Sequence, residues 1–168
     1  MEIVLISLIL FISINAVSAR IRIESVSMQP TLYAGNFVVV NKMSYKFGQP
    51  SRGDIIVFRY PPNPEQDPYI KRVIGLPGET VQIKDDRVYI DGVRISEPYL
   101  SLQTKHGGDW TVPQDALFVM GDNRNNSSDS RSWGVVPLEN VIGKASVVYW
   151  PPQKWDVLSA SYAVAAEP

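Results

Sequence analysis

Three stretches of this 168-residue chain hold more reactive side chains than packing requires. In Ser25-Val26-Ser27-Met28-Gln29-Pro30-Thr31-Leu32, two hydroxyls at i and i+2 face one side of an extended backbone, and Pro30 stiffens the chain just beyond them. In Tyr69-Ile70-Lys71-Arg72-Val73-Ile74-Gly75-Leu76-Pro77-Gly78, two cations sit inside an apolar run. Strand alternation sends Lys71 and Arg72 to opposite faces, so at least one is partly buried. Burial disfavours an ammonium and brings a lysine into the range of a neutral base near pH 7. Residues 121–134 (GDNRNNSSDSRSWG) pack two Asp, two Arg, three Asn and four Ser directly behind an apolar strand. That density describes a buried loop braced by Asp–Arg pairs, since such groups are tolerated inside only when satisfied. Taken singly, each stretch also has a plainer reading: a Ser-rich turn, an edge strand whose lysine snorkels to water, and a solvated loop.

Jointly they supply what acyl transfer needs, which is a nucleophilic hydroxyl, a group to take its proton, donors for an oxyanion and a neighbour that holds the base. The chain has no Cys and one His, His106, in a Gly-Gly loop that reads as exposed. Thiol catalysis, disulfides, thiolate zinc and multi-histidine metal sites are thereby excluded. With no second histidine to fall back on, a desolvated lysine is the natural base, and Ser-Lys is an established variant of triad logic. Sixteen basic against seventeen acidic residues, without a basic run, argue against nucleic acid as a partner. No metal and no cofactor is expected.

These groups must be positioned by short β-type runs divided by turn residues. The pattern predicts strands over 37–41, 54–59, 69–74, 80–83, 87–90, 93–95, 116–120 and 144–150. Asp91-Gly92 is a two-residue hairpin signal, because the turn needs positive φ, and Asp85-Asp86 closes the hairpin before it. Residues 60–68 form a proline-rich loop, 96–115 a longer polar connection, and 157–168 a frayed tail of small residues. Ahead of all this, residues 3–19 (IVLISLILFISINAVSA) carry no charge. Three readings of that run stand side by side: an uncleaved membrane anchor, a signal peptide cleaved after Val17-Ser18-Ala19, and a buried core helix. As a helix it reaches roughly 25 Å, the short end of what crosses a ~30 Å hydrocarbon core.

Ser27–Leu32, Gly53–Phe58, Tyr69–Gly78 and Gly121–Gly134, in that order, resemble the four motif boxes of bacterial type I signal peptidases, and the likeness runs from Arg20 to about Trp150. It implies a mainly β fold: a compact signal-peptidase-like catalytic domain of antiparallel sheets, residues 21–168, behind one N-terminal transmembrane helix, residues 1–20. It implies a serine endopeptidase that removes signal peptides from exported preproteins after Ala-x-Ala-like sites. Ser27 would be the nucleophile and Lys71 the general base. Ser25 would donate to the oxyanion with the Ser27 N–H, and Ser127 would orient the Lys71 amine. Arg72, Asp122, Asp129 and Arg131 would be structural pairs beneath the site, and Met28 a packing residue. The implied partners are preprotein signal peptides and the lipid bilayer, the implied state is monomeric, and the implied location is the extracytoplasmic face of a membrane, or the thylakoid lumen in a photosynthetic source. Arg20 and Arg22 follow the apolar run and nothing basic precedes it, so charge alone votes for the opposite side. Two readings of other classes account for fewer of these residues. An inactive tethered β-domain has no need of Ser27, Lys71 and Ser127 together, and a self-cleaving repressor with a Ser-Lys dyad would carry a DNA-binding helix pair.

Overall fold

The uncharged run behind Glu2 is apolar on every side and forms one helix, α1 (Glu2–Val17), all of whose described side chains are exposed. It ends where Ser18 turns its hydroxyl back to the Ile14 carbonyl (2.8 Å) and the chain passes without a linker into strand β1 (Ser18–Arg22). The computed structural model describes residues 2–100, 104 and 107–158. His106, read from sequence as exposed, lies outside them, as does most of the tail. Among the described residues no helix is long and apolar enough to cross a membrane.

From Ser18 onward the chain is mainly β. Strands β2 (Phe37–Asn41), β3 (Ile55–Phe58), β4 (Tyr69–Gly75), β5 (Thr80–Lys84), β6 (Arg87–Ile90) and β7 (Val93–Arg94) are followed by β8 (Gly108–Thr111), β9 (Ala116–Met120), β10 (Val136–Pro137), β11 (Val141–Trp150) and β12 (Asp156–Val157). They build an eight-stranded antiparallel sheet in the order β1-β2-β11-β3-β4-β9-β10, with β12 on β11, and a four-stranded sheet in the order β7-β6-β5-β8. Alternation divides the core. Ile55 and Val57 face one cluster with Met28, Leu32, Val38 and Val40, while Ile56 and Phe58 face another with Val73, Leu117 and Val119. The opposite face of β9, Phe118 and Met120, joins Val81, Ile83, Val88 and Ile90 of the small sheet. Strands β3 and β9 are buried on both faces, which is why they read as unbroken apolar runs.

The predicted strands are all present, with ends displaced by up to three residues. Both hairpin turns have the left-handed geometry expected of them, with φ of 49° and 58° at Asp85 and Asp86, and 49° and 81° at Asp91 and Gly92. Four strands went unpredicted. Strand β1 begins inside the span assigned to the anchor, because Ser18 and Ala19 pair with Asn41 and Val40. Strand β8, inside the polar connection, has weak alternation and exists through pairing with β5. Strands β10 and β12 are two residues each, and β12 pins the start of the supposed tail, with Leu158 buried behind it.

Gly75 ends β4 where the two sheets meet. A Cβ there would stand 2.5 Å from Val81 Cγ2 and 3.0 Å from Phe118 Cβ. Gly75→Ala is expected to cost about 1–3 kcal/mol by overpacking. Urea unfolding measures this directly, and an unchanged midpoint would contradict the close approach of the sheets.

Candidate active site

Between β1 and β2 the chain leaves the sheet, and the apolar side chains of that segment decide where its serines lie. Ile23, Met28 and Leu32 are buried in the main core, which holds the stretch between them as a short bridge over β4. Its backbone is tied from the loop behind β9: Asn123 N donates to the Ser27 carbonyl (2.9 Å) and Asn123 Nδ2 to that of Val26 (3.1 Å). Gly121 makes this approach possible, since a Cβ there would fall 2.5 Å from the Ser27 oxygen and 2.3 Å from Ser127 Oγ. Met28 is fully buried in the main core.

Strand β4 presents its two cations to opposite sides, and both are buried, Lys71 to 4% exposure and Arg72 to 1%. Arg72 keeps its charge by pairing. Its guanidinium forms a two-pronged bridge to Asp122 (2.8 and 2.6 Å), donates to the Gly53 carbonyl (2.9 Å) and lies 3.9 Å from the centre of the Tyr99 ring. Burial pulls the Arg72 guanidinium down, but the hydrogen bonds and charge of Asp122 outweigh it and hold it above its usual value.

Among the described residues no carboxylate pairs with Lys71 in this way. Its amine contacts Ser27 Oγ at 2.8 Å and the Ile70 carbonyl at 3.0 Å, with the Tyr69 ring centre 5.3 Å away. Burial therefore dominates and lowers its pKa from 10.5 to about 8, against a partial opposing pull from Asp129 and Asp122. Ser25 Oγ lies 3.1 Å from Ser27 Oγ, on the exposed side of the serine. Ser127 lies beside the Gly121 backbone, its buried hydroxyl without a hydrogen-bond partner among the described residues, and the contact holding the Lys71 amine besides Ser27 is the Ile70 carbonyl.

Asp129 caps the short helix α2 (Ser130–Trp133), pairs with Arg131 (2.8 Å) and accepts from the Gly121 N–H (3.0 Å), which links the loop brace to the backbone beneath Ser27. Sequence reasoning overlooked Thr31, which donates to Asp122 (2.5 Å), and the buried Arg124, which pairs with Glu97 and donates to the Thr104 hydroxyl (2.8 Å). Arg124 stood in view inside the third stretch, but its partner lies 27 residues upstream and no local pattern connects them. Ser25, Ser27, Tyr69 and Lys71 open onto a cleft of about 640 Å³ that Arg22 and Glu24 also line. Among the described residues no cluster of three or more His, Asp or Glu could hold a metal.

A hydroxyl, a buried amine and a loop brace drawn from separate segments agree with a match of residues 1–150 to the model of the family described as signal peptidase, peptidase S26. The chain belongs to that signal peptidase family. A signal peptidase I of Leptolyngbya laminosa is 46% identical over 153 residues, which cover 86% of this chain and 75% of that protein. A signal peptidase I of Bacillus caldolyticus is 43% identical over 144 residues, covering 77% of this chain and 78% of that one. The crystal structure of a signal peptidase I from Enterococcus faecalis V583 superposes with a TM-score of 0.52 at 39% identity, covering 59% of this chain and 98% of that chain.

The lowered amine has a thermodynamic consequence in this signal peptidase. Between the folded value of about 8 and the ordinary 10.5 the unfolded chain binds more protons at Lys71, so stability contributed by this group rises with pH there and its full deficit is present below pH 8. Lys71→Met is accordingly expected to stabilise the protein at pH 7, on the order of 1–3 kcal/mol, with the gain shrinking as pH rises past 8. Denaturant titrations across that range check it, and a variant less stable than the parent at pH 7 would contradict a buried, charge-averse lysine.

Proposed function

We propose that the chain is a membrane-anchored type I signal peptidase, a serine endopeptidase that removes N-terminal signal peptides with a Ser27–Lys71 dyad. The observation that carries this reading is the 2.8 Å contact between Ser27 Oγ and a buried amine that has no ion-pair partner among the described residues. In neutral form, Lys71 Nζ takes the Ser27 proton as the alkoxide attacks the scissile carbonyl. The oxyanion draws on the Ser25 hydroxyl and the Ser27 N–H. The resulting ammonium returns its proton to the departing amine, which leaves an acyl-enzyme and a neutral lysine. That lysine then deprotonates the water that frees Ser27. Ser127 stays a candidate to orient the amine during this cycle, because its buried hydroxyl, near the Ser27 carbonyl across Gly121, has no hydrogen-bond partner among the described residues.

Arg72, Asp122, Asp129 and Arg131 serve as braces, since their hydrogen bonds run to backbone, to Thr31 and to one another. The cleft is large enough for a short extended peptide, and preproteins cut after Ala-x-Ala-like sites are the substrates to test. Helix α1, with apolar side chains exposed all round, supports anchorage in a lipid bilayer, with the body on the extracytoplasmic side where leaders emerge. Both members of the dyad come from one chain, which supports a working monomer.

Incubation of the purified protein with an Ala-x-Ala preprotein, followed by sequencing of the new N-terminus, tests the activity. Ser27→Ala and Lys71→Ala are each expected to lower turnover by at least about 10³-fold while leaving the fold intact. The kcat/KM of the parent is expected to climb with pH through about 8, because only the neutral amine accepts a proton. Substantial turnover by folded Lys71→Ala, or a flat profile from pH 6 to about 9, would overturn the dyad assignment.

A further inference from the structure

Among the described residues behind α1, the bulky apolar side chain with the largest exposure is Phe47, at 87%. It lies in the loop 42–48 (KMSYKFG), which leaves β2 at Asn41, the residue paired with Ser18 at the foot of the helix. Lys42 fastens that loop to α1. Its N–H donates to the Val17 carbonyl (3.0 Å) and its amine to the Asn15 carbonyl (3.3 Å). The Ser18 hydroxyl serves the Ile14 carbonyl, so three of the last four helix carbonyls have donors from the protein itself. Helix ends in water do not need such provision, whereas carbonyls placed where water is scarce do. Within the loop, Tyr45 turns inward to Asp54 (2.9 Å) and Lys46 N–H closes a turn on the Met43 carbonyl (3.1 Å), leaving Lys46 and Phe47 outside.

We propose that the loop 42–48 is a second membrane contact, in which Phe47 enters the headgroup region beside the foot of α1 and Lys42 and Lys46 meet anionic lipid headgroups. The inference rests on the reading of α1 as an anchor. The foot of such an anchor sits at the boundary of the hydrocarbon core, and the loop bonded to it through Lys42 is held at the same level. Amphipathic contact of this kind, an aromatic ring flanked by lysines, suits the interface of an anionic bilayer.

Because the chain has no cysteine, single labels are specific. Full-length Ile9→Cys, Gln49→Cys and Val93→Cys, each carrying an NBD fluorophore, would be reconstituted into phosphatidylcholine–phosphatidylglycerol vesicles containing nitroxide lipids. Quenching is expected at positions 9 and 49, strongest at 49 with a shallow nitroxide, and absent at 93 in the far hairpin. Adding Phe47→Ser, or omitting phosphatidylglycerol, is expected to lower quenching at 49 at least two-fold. Quenching at 9 with none at 49 overturns the loop contact while the anchor stands. No quenching at 9 overturns the anchor and the loop contact with it. Quenching at 49 that is indifferent to both Phe47→Ser and lipid charge overturns the roles given to Phe47 and the lysines.

Discussion

The structure turns on the burial of one amine beside one hydroxyl. Adjacent cations of β4 enter the interior by opposite routes: Arg72 brings a carboxylate with it, and Lys71 does not. A carboxylate bonded to Lys71 would hold its proton and leave Ser27 without a base. The nearest acids, Asp122 and Asp129, are instead bound to Arg72 and Arg131, so their charge reaches Lys71 only as a partial pull upward. Spending the acids on arginines lets burial set the lysine near pH 8 rather than near 10.5.

The two sheets serve that arrangement. Register runs from Ser18 at the foot of α1 through Asn41, Lys144 and Ile56 to Lys71, so Lys71 lies on the same cross-strand row as the end of the helix. At about 4.8 Å per strand, four steps place it roughly 19 Å across the sheet from the helix foot. The segment that follows β7 contributes from below: Tyr99 lies against Arg72, and Glu97 neutralises Arg124 of the loop behind β9.

Much of this was legible in the residues. Alternation in YIKRVIG put Lys71 and Arg72 on opposite faces, and burial of both follows from a strand covered on two sides. The lack of a second histidine directed attention to lysine as base. Asp91-Gly92 disclosed its turn because only a few residue types accept positive φ. What was not legible is what depends on distant partners. The Arg124–Glu97 pair and the Thr31–Asp122 bond span long stretches of sequence, and β8 and β12 are strands by virtue of their neighbours. Apolar content gave the helix its place but not its end, because Ser18 and Ala19 suit either an anchor or an edge strand until Asn41 and Val40 are there to pair with them.

The central claim, that dehydration alone makes Lys71 a base at working pH, is tested most directly by following its Cε and Nζ resonances by NMR through a pH titration of protein carrying labelled lysine, assigned with Lys71→Met. The account predicts a midpoint near 8, well separated from the other lysines. A midpoint at the ordinary value of 10.5 would contradict it.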